Sequence, residues 1–167
     1  MTALFIELLG LFYALVDRDL IFIVTASVII LTHLFLSSQK QLKPIFKLLF
    51  PAIILIYFAG SFFNFFAEGS EYDSFLHFFA GFVVSLLFAS LILRKSKKKQ
   101  GNSIFLIVAF GFLIGAGWEV FEIIAGQFMP QSMVGDIDDT ILDLIMDTLG
   151  AAVAAFMAPI VFVSSKR

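Results

Sequence analysis

The chain reads as an all-α integral membrane protein of six transmembrane helices with both termini in the cytoplasm, and three observations predict it. Of its 167 residues, 60% are hydrophobic and only 14% are charged, whereas soluble domains are about 45–50% apolar and about 25% charged. Six apolar runs follow one another with short loops between them, and a helix of roughly 20 residues crosses about 30 Å of hydrocarbon. Ten of the 11 basic residues fall in alternate loops or at the carboxyl end, the asymmetry expected when positive loops stay cytoplasmic.

Taken in order, the runs are Thr2–Val16, Leu20–Leu36, Ile45–Phe66, Asp73–Leu93, Ser103–Phe128 and Asp139–Val163. The first is short and carries Glu7, but it lacks the basic start and cleavage site of a signal peptide and is read as a retained helix. Pro51 sits near the start of the third, where it kinks the helix or marks its first turn. Lys40, Lys43 and Lys47 separate runs two and three; Arg94, Lys95, Lys97, Lys98 and Lys99 separate four and five; Lys166 and Arg167 end the chain. Arg18 alone falls on the other side. The whole is expected to be a single polytopic membrane domain, residues 1–66 being three less patterned helices and 71–163 a motif-bearing three-helix core.

Composition also excludes chemistries. With no Cys there is no disulfide scaffold, Cys-ligated zinc or iron–sulfur site, or thiol nucleophile. A net charge of −2 and the high apolar fraction speak against nucleic-acid binding and disorder.

The 13 carboxylates avoid the loops assigned to the cytoplasm. Asp17, Asp19, Glu68, Glu71, Asp136 and Asp138 lie in outer loops, and Glu7 stands near the inner end of the first run. The other six, Asp73, Glu119, Glu122, Asp139, Asp143 and Asp147, lie within or at the outer ends of the last three runs. Asp73 and His77 share a helix face at i, i+4, with Gly81 one turn deeper. Gly111, Gly115, Glu119 and Glu122 form one stripe, and Asp139, Asp143 and Asp147 another that continues into Gly150, Ala151, Ala154 and Ala155. Small residues let membrane helices approach closely. If those stripes face one another, the polar halves converge above them on an outward-facing, carboxylate-rich cavity.

An acid at mid-membrane costs on the order of 2.5–3.5 kcal/mol even on insertion scales, and no Lys or Arg lies in these runs to pair with six of them. Bound cations, protons or water must compensate. Oxygen donors with one imidazole suit a divalent ion such as Mg, Mn, Ca or Zn, with Asp73, His77, Asp139, Asp143 and Asp147 as expected ligands. The competing account is that the acids hydrogen-bond Ser, Thr, Asn64 or backbone and knit the helices together. Asp136 and Asp138 read as loop or cap residues, His33 as structural, and Trp118 and Tyr72 as interfacial aromatics.

Glu71-Tyr72-Asp73-x-x-x-His77-Phe78-x-x-Gly81-Phe82, Trp118-Glu119-x-x-Glu122 and Gly135-Asp136-x-x-Asp139-Thr140-x-x-Asp143, with Gly150-Ala151 downstream, resemble the YjdF-type family of bacterial inner-membrane proteins. More distantly the pattern is similar to VanZ-like proteins of the cell envelope. The likeness covers about residues 71–155 and departs from the family at Asp138 and Ile141-Leu142. It implies a multi-pass protein of the plasma or inner membrane with its site on the extracytoplasmic side.

Three functions compete. The first is a metal-dependent hydrolase or transferase acting on a lipid or lipid-linked phosphate at the outer leaflet, with Glu119 or Glu122 as general base, His77 in the catalytic set and membrane lipid as partner. The second is a cation or proton transporter. The third is a non-catalytic envelope or resistance factor. The oligomeric state is not fixed by the sequence.

Overall fold

The computed structural model describes residues 2–17, 20–38, 46–63, 65–66, 71–95, 100–127 and 137–163, and these are helical apart from short turns. Six helices follow in order: α1 (Thr2–Asp17), α2 (Leu20–Ser38), α3 (Phe46–Phe62), α4 (Glu71–Lys95), α5 (Gln100–Gly126) and α6 (Ile137–Val163). Three are long and apolar enough to cross a membrane, over Glu71–Leu93, Ser103–Gly126 and Ile137–Phe162. The apolar stretches Leu4–Val16, Phe22–Phe35 and Leu48–Phe62 are shorter. Lys40, Lys43, Lys97, Lys98, Lys99, Lys166, Arg167, Arg18, Asp19, Asn64, Glu68 and Asp136 lie outside the described residues.

The third run is shorter as a helix than its hydropathy predicts. α3 stops at Phe62, and the chain turns there, with Phe63 N–H donating to the Ala59 carbonyl at 3.0 Å and Phe65 N–H to the Gly60 carbonyl at 2.7 Å. Those bonds satisfy carbonyls that a helix end leaves open, so the apolar Phe residues after Phe62 belong to a turn. Pro51 stands inside α3, past its first turn, and is buried.

The chain divides into two compact units, Met1–Gly69 and Ser70–Arg167. In the first, α1, α2 and α3 pack around Phe22, Ala14, Ala26 and Ile54, all essentially fully buried. Phe22 stacks on Tyr57 with ring centroids 4.4 Å apart, and Tyr13 meets Phe58 edge-on at 4.9 Å. Gly10 lies against the Ile54 side chain, which packs directly on the α1 backbone.

In the second unit α4 and α6 make the most extensive contact, and the small-residue stripes are the reason. A Cβ on Gly150 would run into the Phe78 carbonyl oxygen and lie 2.8 Å from Phe82 N. One on Gly81 would lie 2.8 Å from Asp147 Cα. Gly111 meets Ala151 and Ser85 in the same way, while Ala151, Ala154, Ala155 and Ala158 are sealed from solvent. Phe88 and Phe110 stack at 4.1 Å between α4 and α5. Large apolar side chains such as Phe105, Leu113, Phe156 and Ile160 cover the outside.

Candidate functional site

Above the glycine and alanine contacts, side chains of α4, α5 and α6 close on His77. Its Nδ1 lies 3.1 Å from Asp147 Oδ2, and its Nε2 lies 4.0 Å from Asp143 Oδ2. The Glu119 Oε1 atom is 3.8 Å from Nδ1, too far for a hydrogen bond. Ser74, three residues before His77, donates through Oγ to Asp143 Oδ1 at 3.3 Å. Thr140 bonds the Glu119 carboxylate. From α5, the Trp118 indole N–H donates to Glu122 Oε1 at 2.9 Å.

Helix contact explains the closeness. Asp147 reaches His77 because Gly81 and Gly115 present only hydrogens to it; a Cβ on Gly115 would stand 2.8 Å from Asp147 Cγ. The glycine stripes and the acid stripe are thus one device: missing side chains on two helices make room for a carboxylate on the third.

Burial is severe. Asp143 is 2% exposed and Asp147 4%, and Glu119 Oε1 is sealed with no hydrogen-bond partner. Removing ionised carboxylates from water is costly unless each is paired or coordinated. One imidazole does not neutralise five neighbouring acids.

Two overlapping sets have metal-ligand geometry among the described residues: Asp73, His77 and Asp143, and His77, Glu119 and Glu122, the donor atoms of each lying within 4.8 Å of one another. Ligands about 2.0–2.2 Å from one ion stand at most roughly 4.4 Å apart, so the donors would draw inward to close on one. In the first set the geometry resembles a carboxylate–histidine–metal triad. A neutral ring that donated Nδ1–H to Asp147 would present its Nε2 lone pair toward Asp143.

Of the expected ligands, Asp73, His77 and Asp143 come together in one set, while Glu119 and Glu122, expected as general bases, join His77 in the other. Asp147 lies against His77 Nδ1, and Asp139 belongs to neither set. Asp139 stands one turn before Asp143, close enough to Asp73 and Asp143 to act on them electrostatically. With Asp138 it lies in the first turn of α6, where acids suit the helix dipole. Sequence reasoning missed Ser74, Thr140 and the Trp118 indole. Their signal was available, since Ser74 shares the Asp73–His77 face and Trp118 precedes Glu122 by four residues. It also missed the partner of His33, whose Nδ1 lies 2.6 Å from Glu7 Oε1 in the first unit.

Long apolar helices packed around a buried carboxylate–imidazole cluster define a helical membrane protein with a polar core. The chain belongs to the DUF2238 family of predicted membrane proteins, whose family model matches residues 1–163, in keeping with the YjdF-type motifs. An uncharacterised protein of Thermotoga maritima is 31% identical over 94 residues. That match covers 54% of this chain and 49% of the relative, about half of its length. No solved structure matches the chain.

Proposed function

We propose that α4, α5 and α6 hold one divalent cation and use it on a lipid or lipid-linked phosphate at the outer leaflet of the plasma or inner membrane. In this reading all six helices span the bilayer, both termini are cytoplasmic and the site opens extracytoplasmically. The observation that carries it is the division of labour on His77: Nδ1 is tied to Asp147 at 3.1 Å while Nε2 faces Asp143 across 4.0 Å, with Asp73 completing a three-donor set. The unpartnered, sealed Glu119 Oε1 supports it, because a buried charged oxygen needs a counter-ion or proton.

Asp73, His77 and Asp143 would hold the ion, and Asp147 orients the ring. An ion bound there supplies Lewis acidity toward a phosphoryl oxygen and acidifies a bound water. Glu119 would be the general base of this reading, and Thr140 bonds its carboxylate. Trp118 holds Glu122 beside it. Among the described residues no Arg or Lys stands in this cluster, and in this reading the ion would meet the phosphate charge.

The test is elemental analysis of detergent-purified protein beside His77→Ala and Asp143→Asn, with thermal midpoints followed as Mg, Mn, Ca or Zn is added back. Stoichiometric metal in the wild type, lost in both variants, is the expected outcome, followed by loss of lipid-phosphate turnover in Asp143→Asn. Absence of metal and of stabilisation by any of the four ions overturns the reading. Metal with an Asp143-dependent ion flux in proteoliposomes, and no turnover, replaces the enzyme by a transporter.

A further inference from the structure

Glu119 and Glu122 gather around His77 as closely as Asp73 and Asp143 do, the donor atoms of each set lying within 4.8 Å of one another. Each set brings two carboxylates and the same imidazole, so each offers a divalent ion the same compensating charge. In metal sites the ligating carboxylates are themselves hydrogen-bonded, and both sets show this. Ser74 donates to Asp143 at 3.3 Å. On the other side the Trp118 indole N–H donates to Glu122 at 2.9 Å, and Thr140 bonds Glu119. Two members of each set are buried and one, Asp73 or Glu122, is half-buried.

The observation that points to a ligand is Glu119 Oε1. Glu119 is 5% exposed, and Oε1 is sealed without a hydrogen-bond partner, a costly state for a charged acceptor. It lies 3.8 Å from His77 Nδ1, too far for a hydrogen bond. Two donors about 2.0–2.2 Å from one ion stand up to roughly 4.4 Å apart, so that separation suits a cation between them, as does the 4.0 Å between Nε2 and Asp143 Oδ2.

The ring cannot serve both sets at once, because neutral imidazole has a lone pair on one nitrogen and a proton on the other. We infer that His77, Glu119 and Glu122 are a second station for the divalent cation, filled in alternation with Asp73, His77 and Asp143, an inference resting on the reading of α4–α6 as a cation site. With the ion on Nε2 the ring proton sits on Nδ1, 3.1 Å from Asp147. With the ion on Nδ1 it sits on Nε2, 4.0 Å from Asp143. A proton lost at one nitrogen is matched by one gained at the other, so the exchange consumes none. Only the first arrangement gives the ring an orienting hydrogen bond, a contribution of about 10–100-fold in affinity, so the second station is the weaker by that factor. It empties during purification and fills on titration. Glu119 is a ligand at the second station and is free to act as a base only when the ion stands at the first.

The test is calorimetric titration of the detergent-purified full chain with zinc, comparing wild type, Asp73→Asn, Glu122→Gln and the double variant. One zinc per wild-type chain is expected, with affinity lowered about 10–100-fold in Asp73→Asn. Glu122→Gln should be nearly silent alone but cost at least about tenfold more in the Asp73→Asn background, a coupling within the range of interacting residues. Because the chain has two His residues, 15N labelling of histidine, assigned with a His33→Gln sample, reports which nitrogen of His77 holds zinc. Coordination should move from Nε2 in the wild type to Nδ1 in Asp73→Asn. One zinc in the wild type with Glu122→Gln silent, or equally costly, in both backgrounds overturns the second station and leaves the first standing, as does zinc kept on Nε2 in Asp73→Asn. Two zinc ions per chain overturn the alternation, and no zinc at all in the wild type ends the cation reading itself. Should Asp73→Asn fail to fold by circular dichroism, Asp143→Asn takes its place in the same comparison with the same expected outcomes.

Discussion

Replacing Gly150 with Ala tests whether helix contact and site geometry are one mechanism. The added Cβ would collide with the Phe78 carbonyl oxygen and lie 2.8 Å from Phe82 N, against 3.4 Å for ordinary contact. Both obstacles are backbone, so no flexible side chain can move aside, and α4 and α6 must separate by about 0.6 Å or more. Overpacking costs typically about 1–3 kcal/mol, while Ala gains about 1 kcal/mol over Gly in a helix interior. The net loss is about 0–2 kcal/mol, toward the upper end because the obstacles are rigid. The same displacement stretches the bond between His77 Nδ1 and Asp147 Oδ2 from 3.1 Å to about 3.7 Å, beyond hydrogen-bond range. Loss of such an orienting partner weakens metal sites 10–100-fold. The assay is thermal unfolding in mild detergent with calorimetric cation titration, and Gly117→Ala is the control. A Cβ at Gly117 meets nothing within 4 Å, so that variant should be unchanged or more stable by up to about 1 kcal/mol, with cation affinity intact. If Gly150→Ala matches the wild type in both readouts, the coupling of the small-residue contacts to the site is refuted.

Two further outcomes follow from the same geometry. Asp147→Asn should keep the fold but weaken divalent-cation binding about 10–100-fold, because an amide is a poorer acceptor for Nδ1–H than a carboxylate; affinity equal to wild type in the titration would remove Asp147 from the site. Cation affinity should fall as pH is lowered, since protons compete for the same imidazole and carboxylate lone pairs and binding releases them. Calorimetry in two buffers of different ionisation enthalpy checks this, and affinity independent of pH would mean that the bound ion is not held by these donors.

The sequence by itself determined the helical, apolar character of the chain and the faces on which its chemistry lies. Asp73, His77 and Gly81 had to share one side of a helix, as did Gly115 with Glu119 and Asp143 with Asp147, because 3.6 residues per turn leave no other arrangement. It also marked Gly150 and Ala151 as contact residues. Hydropathy was less sure at helix ends: Phe residues beyond Phe62 are as apolar as those before it, but the hydrogen bonds to Ala59 and Gly60 that end α3 have no signature in a window average.

What tertiary structure decided was the relative rotation and register of neighbouring helices. Periodicity ranks Asp143 and Asp147 as equals on one stripe. Only the close approach permitted by Gly81 and Gly115 puts Asp147 against Nδ1 and leaves Nε2 toward Asp143. The roles of Ser74 and Thr140 follow from that register, as does the pairing of Glu7 with His33 across the α1–α2 contact. Each depends on distances of a few ångströms between groups on different turns or helices. Those distances are fixed by which backbones can touch, a property of packed pairs that no single helix carries in its own sequence.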